Sequence, residues 1–429
     1  MCLKNNIPAK KYSLPKDIIA PFRMAYQSHP GRKLVLLAKH FEALNKMMVC
    51  RTSTLGGAMF VCLGCAQVFF VNRSCKHRFC VTCGIQDTNR WAEAVLSNLL
   101  NIRHSHVVVT LPAWLRGLAQ RNGNMLHNLM FSSLKHVMMD WFGEKHGIEP
   151  GLVMVLHTAG SDLKYHPHIH CIVSFGGADL KTREIKALKG NFLVDHKFLR
   201  SRFRHVFQGG LIKEYDSGRL QVSENLSERK YFMGFLKRNN ATDWIVSIQE
   251  PLHDATSIVR YVFRYAKRAC LSERKIEQIE GEYITLRYND YKNTPKGEKP
   301  KQGYVRLHYV DFLDRLLQHV PDKGYRQVRY AGIYEGRKRK NLPAEWKMPV
   351  AAAASDTEVP PEENGDFWQY RQDVKRQGGH DPLWCMTCQQ AMVLLGEISA
   401  TTRPKWPVSV SRSEGRAWDR QPVLAINSS

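Results

Sequence analysis

Residues 156–173 read LHTAGSDLKYHPHIHCIV. The runs Leu152–His157 (LVMVLH) and His168–Phe175 (HIHCIVSF) are rich in β-branched and apolar residues, and the polar stretch between them carries the turn formers Gly160 and Pro167. That pattern predicts two antiparallel strands joined as a hairpin. Side chains alternate across a strand, so His168 and His170 share one face while Ile169 points to the packed side. The hairpin lays the preceding strand alongside, and His157, eleven positions before His168, is placed to bring a third imidazole to the same point. A His-x-His pair also occurs on ordinary edge strands. His166, or an acidic residue elsewhere, competes with His157 for the third place. The triad His157, His168 and His170 is the candidate metal site; imidazoles alone do not fix the metal, and for work on a phosphodiester the chemistry points to magnesium or manganese, which would neutralise charge developing on the phosphate.

Outward from the hairpin, His106–Leu111 (HVVVTL), closed by Pro112, and Trp244–Ile248 (WIVSI) read as further strands, and residues 283–310 again look β-like. Asp254 can cap a helix from about Ala255 to Cys270, DATSIVRYVFRYAKRAC. On it Tyr261 and Tyr265 stand four apart and therefore on one face, among Arg260, Arg264, Lys267 and Arg268. Such a pair is more often simple helix packing. Beside a metal-activated phosphate, however, it completes a transesterification site, with the cations holding phosphate and favouring a phenolate nucleophile. Attack would release a 3′ hydroxyl and leave a 5′ phosphotyrosine, conserving the bond for a later strand transfer. The sequence has no G-x-x-x-x-G-K-[ST] loop, in keeping with chemistry that needs no nucleotide.

Upstream, Cys62 and Cys65 form one C-x-x-C knuckle and Cys80 and Cys83 another, with Cys50 before them and Cys75 and His77 between. Thiolates delivered in close pairs suit tetrahedral zinc, held as one ion or two. Arg73, Lys76, Arg78 and Arg90 place positive charge on or beside this module, where it can touch phosphates. A further pair, Cys385 and Cys388 in HDPLWCMTC, has no partner pair downstream and reads equally as a half-site or as two spare cysteines.

The chain has 429 residues, with 63 Lys and Arg against 39 acidic residues and a formal charge of +24. That excess argues against an enzyme of small anionic metabolites and for a polyanionic partner, without separating DNA from RNA. The N-terminus lacks the apolar run of a signal peptide, and no apolar stretch is long enough to span a bilayer, so a cytoplasmic location is expected. In that reducing compartment 11 cysteines point to metal rather than to disulfides. From Ala351, AAAASDTEVPPEENGD is alanine-rich, acidic and proline-bearing, the composition of a linker.

Taken together, CRTSTLGGAMFVCLGC with SCKHRFCVTCG, then HSHVVVTLP, LHTAGSDLKYHPHIHCIV and DWIVSIQEPLHDATSIVRYVFRYAKR resemble, in that order, the rolling-circle insertion-sequence transposases of the HUH two-tyrosine type, the IS ninety-one family. The resemblance spans about residues 45 to 335. It implies an α+β fold with a ferredoxin-like HUH nuclease core on a central antiparallel sheet, preceded by a small zinc-binding module. It further implies a divalent cation at His168 and His170, Tyr261 and Tyr265 as nucleophiles, and single-stranded DNA at mobile-element ends as partner. The expected organisation is a helical lead-in over 1–49, the zinc module over 50–100 with Cys50, Cys62, Cys65, Cys75, Cys80 and Cys83 as ligands, and the nuclease over 101–275. A basic extension over 276–350 and a flexible tail over 351–429 follow. A replication initiator or relaxase shares this chemistry, and a non-enzymatic zinc-containing regulator shares the charge. The N-terminal cysteine module favours the transposase.

Overall fold

The computed structural model describes residues 13–25, 36–81, 84–191, 193–240, 244–252, 258–259, 262, 269–291, 293–295, 298–347, 383–400 and 423–424. In chain order its principal strands are β1 (Gly57–Val61), β2 (Val68–Asn72), β3 (His104–Thr110), β4 (Ile148–Ala159), β5 (Tyr165–Asp179), β6 (Ile185–Ala187), β7 (Val246–Ile248), β8 (Ile276–Glu280), β9 (Tyr283–Asp290), β10 (Lys301–His308), β11 (Val328–Gly332), β12 (Trp384–Cys385), β13 (Gln390–Ala391) and β14 (Val393–Ile398). The longer helices are α1 (Ala38–Val49), α2 (Gly84–Leu96), α3 (Gly123–His146), α4 (His196–Asp216), α5 (Arg229–Arg238) and α6 (Tyr309–Leu317). Among the described residues no helix is long and apolar enough to cross a membrane. The chain is a mixed α+β protein that divides into two compact units, residues 1–87 with 267–320 and 351–429, and residues 88–266 with 321–350.

The second unit is built on an antiparallel sheet in the order β11-β4-β5-β3-β7, with β6 pairing β5. The hairpin read from the sequence is its centre. β4 and β5 both run longer than the sequence runs suggested, because the pairing continues through Ile148↔Asp179 at one end and Ala159↔Tyr165 at the other. Alternation sorts the two faces. Ile169, Cys171, Val173 and Phe175 on β5, with Val107 and Val109 on β3, enter a core filled by Leu126, Met130, Phe131, Leu134 and Phe142 of α3 and by Leu199, Phe203 and Phe207 of α4. Buried residues every fourth position make one apolar stripe on α4, and Asp195 caps it by accepting from the Phe198 amide. Gly147, left-handed at φ 63°, ends α3, where a side chain would be strained. On the opposite face Ile172, Val153 and Val155 pack with Val95, Leu99, Ile258, Val259 and Val262. Ile258, Val259 and Val262 are helical, as expected for the tyrosine segment.

The first unit holds two three-stranded antiparallel sheets, β10-β9-β8 and β14-β1-β2. Two expectations are corrected here. The segment 276–350 is not one extension of the catalytic region: β8 to β10 and α6 belong to the first unit, whereas β11 pairs with β4 in the second. Nor is all of 351–429 a tail, because residues 383–398 form β12 to β14 and β14 pairs with β1 from Val393↔Val61 to Ile398↔Gly57. Short strands whose partners lie hundreds of residues away leave no local periodicity to read.

Candidate functional site

The register of the central sheet builds the histidine cluster. His168 pairs directly with His157 on β4 and with Thr110 on β3, and His170 pairs with Val155 and Val108. Opposed residues of an antiparallel pair point to the same face, so all three imidazoles project together. Their candidate ligand atoms lie within 4.8 Å of one another. His166 is elsewhere engaged: its Nδ1 meets the Arg116 guanidinium and its carbonyl takes the His168 Nδ1 proton at 2.7 Å. His157, not His166, is the third imidazole brought into the cluster.

The hydrogen bonds fix each tautomer. A carbonyl only accepts, so His168 carries its proton on Nδ1 towards His166 O, and His157 carries its proton on Nε2 towards Val262 O at 3.0 Å. His106, on β3, was not singled out from the sequence. Its Nδ1 donates to Gln249 Oε1 at 3.2 Å, which leaves its Nε2 to accept from His170 Nδ1 at 2.8 Å. The lone pairs of the three clustered rings therefore stand on His157 Nδ1, His168 Nε2 and His170 Nε2. Burial, then the repulsion of a charged His168, pushes His157 down to about 3; burial and its three histidine neighbours push His170 further below the usual imidazole range. Burial lowers His168 and His106 as well. Burial thus favours the neutral form in all four, the form in which imidazole binds a metal. The signal for His106 was present in HSHVVVTLP, where it shares a face with Val108 and Thr110, but only the register shows it against His170.

Seven of the described cysteines of the first unit gather in two groups. Cys50, Cys75 and Cys80 gather in one; Cys62 and Cys65 join Cys385 and Cys388 in the other, each with sulfurs within 4.8 Å. Both donor sets suit zinc, a borderline-soft ion that thiolates hold tetrahedrally. The Gln390 side-chain amide donates to Cys62 Sγ at 3.2 Å and lowers that thiol to about 6. The sequence signal for Cys385 and Cys388 was their C-x-x-C spacing; their partner pair lies upstream, where it had been assigned to the other cysteines. Cys83, Arg260, Tyr261, Arg264, Tyr265, Lys267 and Arg268 lie outside the described residues.

Comparison with known proteins separates the same two regions. A family model described as "Putative transposase" matches residues 151–341, which contain the histidine hairpin, and the IS91 model described as "Transposase zinc-binding domain" matches residues 19–111. The chain is 28% identical over 386 residues to "Putative transposase y4qJ" of Sinorhizobium fredii (strain NBRC 101917 / NGR234), covering 88% of this chain and 94% of that one. It is 25% identical over 257 residues to "Transposase for insertion sequence element IS801" of Pseudomonas savastanoi pv. phaseolicola, covering 58% of this chain and 61% of that one. No solved structure matches. The two family models, matched in order over residues 19–111 and 151–341, together with these two relatives, support an IS91-family (IS ninety-one) transposase.

Proposed function

We propose that this transposase cuts single-stranded DNA at the ends of its element through a 5′-phosphotyrosine intermediate, on an HUH-type, ferredoxin-like core. The observation that carries the reading is the convergence of three imidazoles on one face of the central antiparallel sheet, with His157 bonded to the carbonyl of Val262. Val262 follows Tyr261 directly in the chain and precedes Tyr265 by three residues. His157, His168 and His170 would hold a divalent cation, magnesium or manganese, which supplies charge neutralisation on the scissile phosphate. The chain's own groups do the rest. A tyrosine oxygen, Tyr261 or Tyr265, forms a bond to phosphorus as the bond from phosphorus to the 3′ oxygen breaks, and the departing oxygen takes up a proton. Strand transfer is the reverse step with a different 3′ hydroxyl, so two tyrosines permit two linked transfers. Arg260, Arg264, Lys267 and Arg268 supply the positive charge that a DNA backbone needs along this segment.

The test is covalent trapping. Purified full-length protein is incubated with single-stranded oligonucleotides carrying candidate element ends and manganese, then run on a denaturing gel. A protein–DNA adduct that EDTA blocks and that Tyr261→Phe with Tyr265→Phe abolishes is the expected result; an adduct that survives the double substitution would remove both tyrosines from the mechanism.

A further inference from the structure

We propose that Cys62, Cys65, Cys385 and Cys388 form a closed four-sulfur zinc site of their own, a second structural ion that fastens the segment 383–398 onto the zinc-binding module. The family match to the module ends at residue 111, so half of this site lies outside it.

The geometry is that of two facing knuckles. Cys62 and Cys65 occupy the turn between β1 and β2, and Cys385 ends β12 with Cys388 in the turn that leads to β13. The two turns are built alike. Ala66 N donates to Cys62 O at 2.8 Å, and Gln389 N donates to Cys385 O at 2.8 Å. The residue after the second cysteine is left-handed in both, Ala66 at φ 54° and Gln389 at φ 50°. Neither is glycine, so each turn holds a conformation that L side chains rarely adopt. The same device marks the other group, where Arg51 and Lys76, following Cys50 and Cys75, are left-handed at φ 59° and 50°. Of the six described non-glycine residues with positive φ, these four all follow a cysteine, which ties the strain to the sulfur positions.

The amides of Gly64 and Cys65 donate to Cys62 Sγ, and Cys388 N donates to Cys385 Sγ at 3.4 Å. A Cβ at Gly64 would stand 2.7 Å from the Gln390 side-chain nitrogen and 3.0 Å from Cys388 Sγ, so the two turns approach closely at this glycine. Cys65 Sγ and Cys385 Sγ are 3.6 Å apart. That is too long for a disulfide, whose sulfurs stand about 2.05 Å apart. It matches the roughly 3.8 Å edge of a sulfur tetrahedron around zinc with bonds of about 2.3 Å. Behind the sulfurs Ala58, Phe60, Val71, Leu383 and Met392 pack with Cys62 and Cys385 in a small buried core. A core of that size holds few apolar side chains, the circumstance in which small modules use a metal.

Zinc content of the reduced full-length protein, measured by inductively coupled plasma mass spectrometry against protein concentration, is the first readout. Cys385→Ser with Cys388→Ser should lose one zinc per chain relative to wild type, Cys75→Ser with Cys80→Ser should lose a different one, and the combined variant both. Unchanged zinc in the Cys385, Cys388 variant overturns the proposal. Because that variant could fail to fold, a second measurement leaves every ligand intact: a protease recognition sequence is placed between residues 355 and 362 and cut. The C-terminal fragment should co-elute with the rest and separate when a chelator removes zinc. A fragment that separates with zinc still bound, or that stays attached once zinc is gone, overturns the fastening role.

Discussion

The imidazole cluster and the four-sulfur cluster are assembled in opposite ways. His157, His168 and His170 come from one hairpin, fourteen residues from first to last, and alternation plus a single register bring them together. Cys62 and Cys385 are separated by more than three hundred residues, and two turns of the same construction meet only when the ends of the chain do. A ligand set carried on a packed central sheet is held by a core that exists without the ion. A ligand set carried on two short turns is held largely by the ion itself, and closing so long a loop costs conformational entropy that the ion must offset. The first arrangement fits a site whose task is chemistry, the second a site whose task is structure.

Ligand removal should therefore give opposite phenotypes, and this is the largest difference expected. His168→Ala or His170→Ala should reduce adduct formation on single-stranded DNA by at least about 10³-fold, with the melting transition nearly unchanged. Cys62→Ser should lower the melting temperature and increase proteolysis of the first unit. Adduct formation at wild-type rate in His168→Ala would remove the imidazole cluster from the reaction. A Cys62→Ser protein of wild-type stability would remove the structural role of its site.

The comparison sharpens at His106. Its ring passes a hydrogen bond from His170 to Gln249, so it fixes the tautomer of a candidate ligand without belonging to the cluster. Outer partners of this kind typically tune metal affinity by about 10–100-fold. His106→Ala should weaken manganese binding, measured by calorimetry, within that range, and Gln249→Leu should weaken it less. Adduct formation by His106→Ala should recover at high manganese, whereas His168→Ala stays inactive at every concentration. Equal manganese affinity in His106→Ala and wild type would show that the relay does not matter.

What the sequence made legible follows the same division. The alternation in HIHCIV was enough to place His168 and His170 on one face and Ile169 in the core, because a strand flanked by helices has a period that its own residues announce. The choice between His157 and His166 was not legible, since it depends on a register that pairs His157 with His168 and on an Arg116 that engages His166. Reading six cysteines between Cys50 and Cys83 as one module left out Cys385 and Cys388, which the fold brings beside Cys62 and Cys65, because sequence proximity stood in for spatial proximity. The split depends on β14 adding to β1, and Val393 to Ile398 is an unremarkable apolar run until that neighbour is known. The sequence showed the ligand types and could not show which turns face each other.

The smallest effect is a pH dependence of the second unit. His104 and His127 are buried in the second unit, bonded respectively to the hydroxyls of Tyr334 and Tyr165, and burial lowers both to about 4. In the unfolded chain each returns to an ordinary value near 6.5. Between these values the unfolded state binds protons that the folded state refuses, so stability rises with pH. The contribution is present above about 6.5 and is lost as pH falls towards about 4. From pH 7 to pH 5 the loss comes to about 2 kcal/mol for each group, read as a falling urea midpoint of the second unit. His104→Gln retains a partner for Tyr334 and removes one of several buried histidines of this unit, so it should reduce the dependence by that group's share alone, about 2 kcal/mol from pH 7 to pH 5. An unchanged slope in His104→Gln would place the pH sensitivity elsewhere.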